Sequence, residues 1–153
     1  MLNKISIIII VKNERGIADT LAHLVAQEKP VPTEILVIDA SHPDTLKDIR
    51  ERYQNVKWYQ FVPKIKNKSS IPEQRNYGVK KAEGDIIVFI DANCIPVGGW
   101  LTKLTAPILS GEEQITAGPF GSVNISSRIV STKENLHEYL TCSGTGNLAF
   151  RKS

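Results

Sequence analysis

An apolar run, Ile86-Ile87-Val88-Phe89-Ile90, ends abruptly on Asp91-Ala92-Asn93, an acid and an amide two positions apart. In a parallel sheet the carboxyl ends of the strands open onto the ligand crevice, so a carboxylate placed there faces a bound molecule rather than a core. Two other apolar runs end in the same way. Ile5 to Val11 leads into Lys12-Asn13-Glu14, and Glu34 to Ile38 leads into Asp39. If these runs are neighbouring strands, Asn13, Glu14, Asp39, Asp91 and Asn93 gather along one rim, where acids and amides can orient a polar ligand by hydrogen bonds. Each has a plainer reading beside it: Asp39 can cap the helix that follows its strand, and Glu14 can be a surface residue.

The elements that would hold this rim alternate along the chain. Ile5 to Val11 is β-branched and nearly continuous, as expected of a strand buried on both faces. Ile17, Leu21, Leu24 and Val25 recur at helical spacing, and Pro30 and Pro32 close that helix. A strand from Glu34 to Asp39, a helix carrying Leu46, Ile49 and Tyr53, and a strand from Val56 to Phe61 complete a βαβαβ unit. Lys64 to Ser70 reads as an exposed loop with solvated Lys64, Lys66 and Lys68, ended by the capping box Ser70-Ile71-Pro72-Glu73 of a helix reaching about Ala82. Gly84 stops that helix before the strand Asp85 to Asp91. Pro96 to Trp100 leads into a helix with Leu101, Leu104 and Ile108, its Trp100 packing the helix on the sheet. An apolar stretch from Ile115 to Phe120, a short helix from Ser131 to about Leu140 and a last strand beginning over Asn147 to Phe150 follow. Strands alternating with helices predict a three-layer α/β/α sandwich with a mostly parallel, Rossmann-like sheet.

Composition narrows the class. At 153 residues and 41% hydrophobic, the chain reads as a single domain over residues 1–153 with a core large enough to fold. A formal net charge of +3 is ordinary for a soluble protein and marks no nucleic-acid partner. The run Ile5 to Val11 is too short to span a bilayer, which takes about 20 apolar residues, so no transmembrane segment is expected and the cytoplasm is the default location. Cys94 and Cys142 form neither a metal spacing nor a disulfide framework, and Cys94 reads as a small buried hydrophobe rather than a nucleophile. No glycine-rich turn of the dinucleotide or P-loop type follows the first strand. No nucleophile elbow is present, and His23, His42 and His137 make no close-spaced metal motif.

The ordered motifs carry a resemblance. Val11-Lys12-Asn13-Glu14, Glu34-Ile35-Leu36-Val37-Ile38-Asp39-Ala40-Ser41-His42-Pro43-Asp44-Thr45, Arg75-Asn76-Tyr77-Gly78, Gly84 through Asn93, Gly99-Trp100-Leu101 and Gly146-Asn147-Leu148-Ala149-Phe150-Arg151 resemble, in order and spacing, the family 2 glycosyltransferases of the GT-A fold. The resemblance covers nearly the whole chain. It implies transfer of a sugar from a nucleotide-diphosphate sugar, with a UDP-sugar as first expectation, to a glycan, lipid or small-molecule acceptor.

The resemblance also implies roles. A residue such as Asp39 contacts the nucleoside, one such as Arg75 meets the nucleotide, and the Asp-x-Asp cluster binds ribose and a divalent metal, Mg²⁺ or Mn²⁺; by position those last roles fall to Asp91 and Asn93. Asn13 and Glu14 join them as donor-binding candidates. Asn93 departs from the pattern, because an amide oxygen attracts a hard dication less than a carboxylate does. The resemblance places the catalytic base beyond the segment like Asn147 to Phe150, so no catalytic residue is assigned and the domain is expected to be incomplete at its C-terminus. A non-catalytic nucleotide-sugar-binding module is the alternative reading. A nucleotidyltransferase would want a glycine-rich basic loop where Lys12-Asn13-Glu14 stands. Peripheral membrane association and self-association through exposed apolar surface complete the expectations.

Overall fold

The computed structural model describes residues 3–64, 71–118 and 146–152. Its elements are β1 (Ile5–Val11), α1 (Ile17–Ala26), β2 (Thr33–Asp39), α2 (Lys47–Arg52), β3 (Lys57–Gln60), α3 (Ile71–Lys81), β4 (Ile86–Ile90), α4 (Trp100–Ser110), β5 (Ile115–Ala117) and β6 (Asn147–Arg151). The predicted capping serine Ser70, Lys66, Lys68, Phe120, the helix expected from Ser131 and Cys142 lie outside the described residues.

Six strands form one mixed sheet in the order β3-β2-β1-β4-β6-β5. β1 pairs in parallel with β2 and with β4, and β2 with β3, whereas β6 runs antiparallel to both β4 and β5. The predicted layers are present. Alternate residues of β1 feed two cores: Ile5, Ile7, Ile9 and Val11 pack with Ile17, Leu21 and Leu24 of α1, Ile49 of α2 and Leu101, Leu104 and Ile108 of α4. Ile8 turns the other way, with Leu36, Ile38, Ile87 and Phe89, onto Tyr77 and Val79 of α3. Close packing there requires Gly78, since a Cβ at that position would stand 2.6 Å from Ile8 Cγ2. The sheet is therefore covered on both faces, which is why its central strands read as continuous apolar runs.

One residue of the predicted apolar faces is not in the core. Val25 is half exposed, because at 3.6 residues per turn it lies about 80° round the helix from Ile17, at the edge of the stripe that Leu21 and Leu24 continue.

The amino ends of the strands are tied by charge. Glu34 accepts from Ser6 Oγ, from the Glu83 amide at 2.8 Å and from Lys57 at 2.7 Å, while Glu83 pairs with Lys4 at 2.6 Å and Lys57 at 2.8 Å. Burial is the largest influence on Glu34 and acts to raise its pKa, but the hydrogen bonds from Lys57, Ser6 and Glu83 together outweigh it and hold the carboxyl below its ordinary value. Hydrogen bonds from Lys4 and Lys57 hold Glu83 down at about 2, against an ordinary 4.5. A folded-state value below the unfolded one means that the stabilisation is complete above about pH 4.5 and fades as pH falls toward 2. The thermal unfolding midpoint is accordingly expected to fall less steeply with acid in Glu83→Gln than in the native chain. Parallel acid limbs in the two proteins would show that Glu83 contributes nothing to the network.

Candidate donor-binding site

The register brings the predicted rim together. Val11 stands beside Asp39 across β1 and β2, and the β1–β4 pairing of Ile8 with Phe89, continued upward, sets Asp91 level with Ile10. A cleft of about 440 Å³ opens at this carboxyl edge, lined by Lys12 and Glu14 from the turn after β1, Gln74 and Arg75 from α3, and Asp91 and Asn93 after β4. Four of the six predicted residues thus meet in one cavity: Glu14, Arg75, Asp91 and Asn93.

Asp91 is gripped from two sides. Arg75 Nη2 donates to its Oδ1 at 3.2 Å, and a Cβ on Gly146 would overlap the same carboxylate, so the start of β6 backs it closely. Ile90 pairs with Asn147 across β4 and β6, which fixes that approach. The turn beyond Asp91 is set by the Cys94 amide donating to the Asp91 carbonyl at 3.1 Å and by Thr20 Oγ1 donating to the Ala92 carbonyl at 2.9 Å. Glu14 Oε1 accepts the Gly16 amide at 2.8 Å, and Gly16 packs against Asn93, so Glu14 and Asn93 flank one glycine. The guanidinium carbon of Arg75 lies 5.5 Å from the Phe89 ring centre, a second contact that fixes its position.

The other two predicted residues sit beside the cleft rather than in its wall. Asn13 takes the left-handed conformation (φ 55°), which asparagine tolerates better than most residues, and its amide donates to Ser41 Oγ at 2.8 Å. Asp39 is fully buried: Oδ1 accepts the Ser41 amide at 2.8 Å and Oδ2 faces Arg50 Nη2 of α2 at 3.4 Å. Its carboxylate organises the turn after β2, and as it stands it does not open on the cavity.

Two cleft residues escaped the sequence reading as ligand candidates. Gln74 is buried and donates to the carbonyls of Val11 (3.2 Å) and Ile38 (3.0 Å), pinning α3 to the ends of β1 and β2. A glutamine one position before Arg75 carries no signal of this, because only the tertiary approach of α3 gives it partners. Lys12 was visible as part of a motif, but nothing in the sequence turned its side chain to the cleft.

Trp100 Nε1 donates to Asn147 Oδ1 at 2.9 Å, joining α4 to β6 as well as packing on the core. Burial first, and then the charge of Asp91, push the Cys94 thiol upward, so it stays protonated and non-nucleophilic. His42 is exposed, 3.6 Å from Asp44. A second cavity of about 350 Å³, between the end of β3 and the outer side of α3 and walled by Phe61 and Tyr77, holds none of the predicted residues.

The fit of a metal follows from the donors. Among the described residues no group of three or more His, Cys, Asp or Glu side chains could hold an ion. At the end of β4 the cleft offers one carboxylate, Asp91, and one amide oxygen, Asn93, with the second carboxylate of its wall, Glu14, on the turn after β1. That set suits a hard dication of the Mg²⁺ kind, which takes one or two protein oxygens and completes its shell with water and phosphate.

The profile described as glycosyl transferase family 2 matches residues 6–150. The chain belongs to that family. This family 2 chain is 33% identical over 107 residues to polypeptide N-acetylgalactosaminyltransferase 6 of Bos taurus, an alignment covering 69% of the chain and 15% of the relative. With N-acetylgalactosaminyltransferase 7 of Drosophila melanogaster it shares 32% identity over 113 residues, 70% of the chain and 19% of the relative. Among solved structures, S. aureus TarS 1–349 superposes with a TM-score of 0.71 at 22% identity, covering 97% of this chain and 47% of TarS 1–349. The TarS complex with UDP-GlcNAc gives 0.61 at 26% identity over 73% of the chain and 33% of its own. The fold of this family 2 chain is thus that of GT-A glycosyltransferases, and the chain spans less than a fifth of those two curated relatives and under half of TarS 1–349. No described helix is long and apolar enough to cross a membrane.

Proposed function

We propose that these residues form the donor-binding part of a glycosyltransferase that takes a nucleoside-diphosphate sugar, a UDP-sugar first, and passes the sugar to a hydroxyl of a glycan, lipid or small molecule. The observation that carries this reading is the convergence of Glu14, Arg75, Asp91 and Asn93 on one cleft at the carboxyl edge of the sheet. A relative at 26% identity, TarS, is known bound to UDP-GlcNAc, which supports the choice of donor.

Sugar transfer leaves negative charge on the departing diphosphate, and a site that carries cations where that charge develops lowers the barrier. Arg75 and Lys12 supply fixed positive charge at the cleft wall. Asp91 and Asn93 would hold Mg²⁺ or Mn²⁺, which when bound supplies Lewis-acid stabilisation of the leaving oxygens. Asp91 also offers an acceptor to ribose hydroxyls, and Glu14 and Asn13 shape the turn beneath the nucleotide. Asp39 is assigned to the nucleoside, reached when Arg50 moves aside: Arg50 is about one-third exposed and its Nε has no partner among the described residues.

One observation favours a binding module without catalysis as a second reading. Both acids of the cleft are already engaged, Glu14 by the Gly16 amide and Asp91 by Arg75.

Calorimetry tests the proposal directly. UDP is expected to bind more tightly than UMP, since the cations face the diphosphate. Asp91→Ala is expected to weaken UDP by about 1–3 kcal/mol, the cost of leaving ligand hydroxyls without their acceptor. Equal affinity for UDP and UMP together with an unchanged Asp91→Ala variant would remove the cleft as a donor site.

A further inference from the structure

Arg75 lies where a nucleotide-binding arginine is expected, yet in the ligand-free chain it is committed to Asp91. Nη2 stands 3.2 Å from Asp91 Oδ1, the Arg75 side chain is only 18% exposed, and the guanidinium is held a second time by the Phe89 ring. On its other side the same carboxylate abuts Gly146, so that direction is closed to it, while the 43% of the Asp91 side chain that stays exposed lies in the cleft wall. The remaining candidate ligand, Asn93, is neutral. The only carboxylate through which Asp91-Ala92-Asn93 could attract a dication is therefore already neutralised by a resident cation.

We infer that Arg75 is a built-in counter-ion of Asp91 that competes with a divalent metal, so that the metal is taken up together with the nucleotide and not before it. Elsewhere at the cleft wall the charges offset, Lys12 against Glu14, whose Oε1 accepts the Gly16 amide. A diphosphate changes the balance by giving Arg75 an alternative anionic partner, for which a guanidinium is well shaped, and by bringing its own oxygens to the ion. Freed Asp91 then turns from ion-pair partner to metal ligand. Toward the metal Arg75 acts only through Asp91. This inference rests on the donor-site reading, but its first half, competition between Arg75 and a dication, concerns the chain without nucleotide.

The test is Mn²⁺ binding followed by the loss of its free electron-spin resonance signal, for the native chain, Arg75→Gln and Arg75→Lys, each with and without UDP. Without UDP the native chain is expected to bind Mn²⁺ poorly. Arg75→Gln should bind it about tenfold more tightly, because a unit positive charge some 5 Å from a dication is worth about that factor even at the dielectric constant of water. Arg75→Lys, which keeps the charge, should remain close to native. Adding UDP should strengthen Mn²⁺ binding in the native chain far more than in Arg75→Gln. Equal Mn²⁺ affinity in native and Arg75→Gln chains, both with native-like circular dichroism, would overturn the competition. If Arg75→Gln does not fold, the native chain decides: Mn²⁺ bound as tightly without UDP as with it overturns the inference. Failure of UDP to bind any of the three chains would instead count against the donor site, leaving the metal comparison without nucleotide standing on its own.

Discussion

Residues 1–153 on their own are expected to turn over a UDP-sugar and an acceptor about 10²–10⁴-fold more slowly than a site in which a base is positioned on the acceptor hydroxyl, the usual worth of general-base assistance. Among the described residues only two acids line the cleft, Glu14 and Asp91. Glu14 Oε1 holds the turn through the Gly16 amide, and Asp91 Oδ1 is paired with Arg75, so each acid already commits an oxygen to holding the donor side of the cleft together. Asp44 is exposed beside His42 and outside the cleft wall. The measurement is UDP release from a UDP-sugar, with and without candidate acceptors, alongside calorimetric binding of UDP to the same sample. Tight binding with slow release is the expected pair of results. Fast, acceptor-dependent release would place a working base within these residues and would make Glu14→Gln the next variant to examine.

The apolar frame of this fold was legible because its physics is local. A β-branched run such as Ile5 to Val11 can hardly be anything but a strand covered on both faces, and Ile17, Leu21 and Leu24 share a helix face by arithmetic. What local pattern could not carry was the partner of each strand. β6 enters antiparallel between β4 and β5, and this insertion, far away in sequence, is what presses Gly146 against Asp91. The site divides along the same line. Asp91, Asn93 and Glu14 announce themselves by ending strands, and position along the chain is enough to bring them to the rim. The direction of the Asp39 carboxylate depends on Ser41 and on an arginine in the next helix, and the buried role of Gln74 depends on where α3 docks. Residue type names a candidate at such positions, whereas tertiary contact decides which way it faces.

Asp39 shows the consequence most sharply, and its variants separate two roles. Asp39→Ala is expected to cost about 2–4 kcal/mol of stability, a drop in melting temperature of about 5–15 °C for a chain of this size. Two losses add up to that figure. The Ser41 amide is left without its acceptor in a buried turn, and Arg50 loses the carboxylate facing it; because the Arg50 side chain is 36% exposed, water recovers part of the second loss. The same turn receives the Asn13 amide on Ser41 Oγ, so the damage reaches the rim after β1. Asp39→Asn behaves differently. Its amide oxygen can still accept the Ser41 N–H, so most of the stability is retained, but it can no longer accept two hydrogen bonds as an anion or balance Arg50. If Asp39 contacts the nucleoside as proposed, Asp39→Asn binds UDP about tenfold more weakly while remaining folded, the loss of one charge-assisted hydrogen bond. A chemical melt and a UDP titration on the two variants read both quantities. Full UDP affinity in a folded Asp39→Asn chain would assign Asp39 to the turn alone, and the base would then be read by some other group at the ends of β1 and β2.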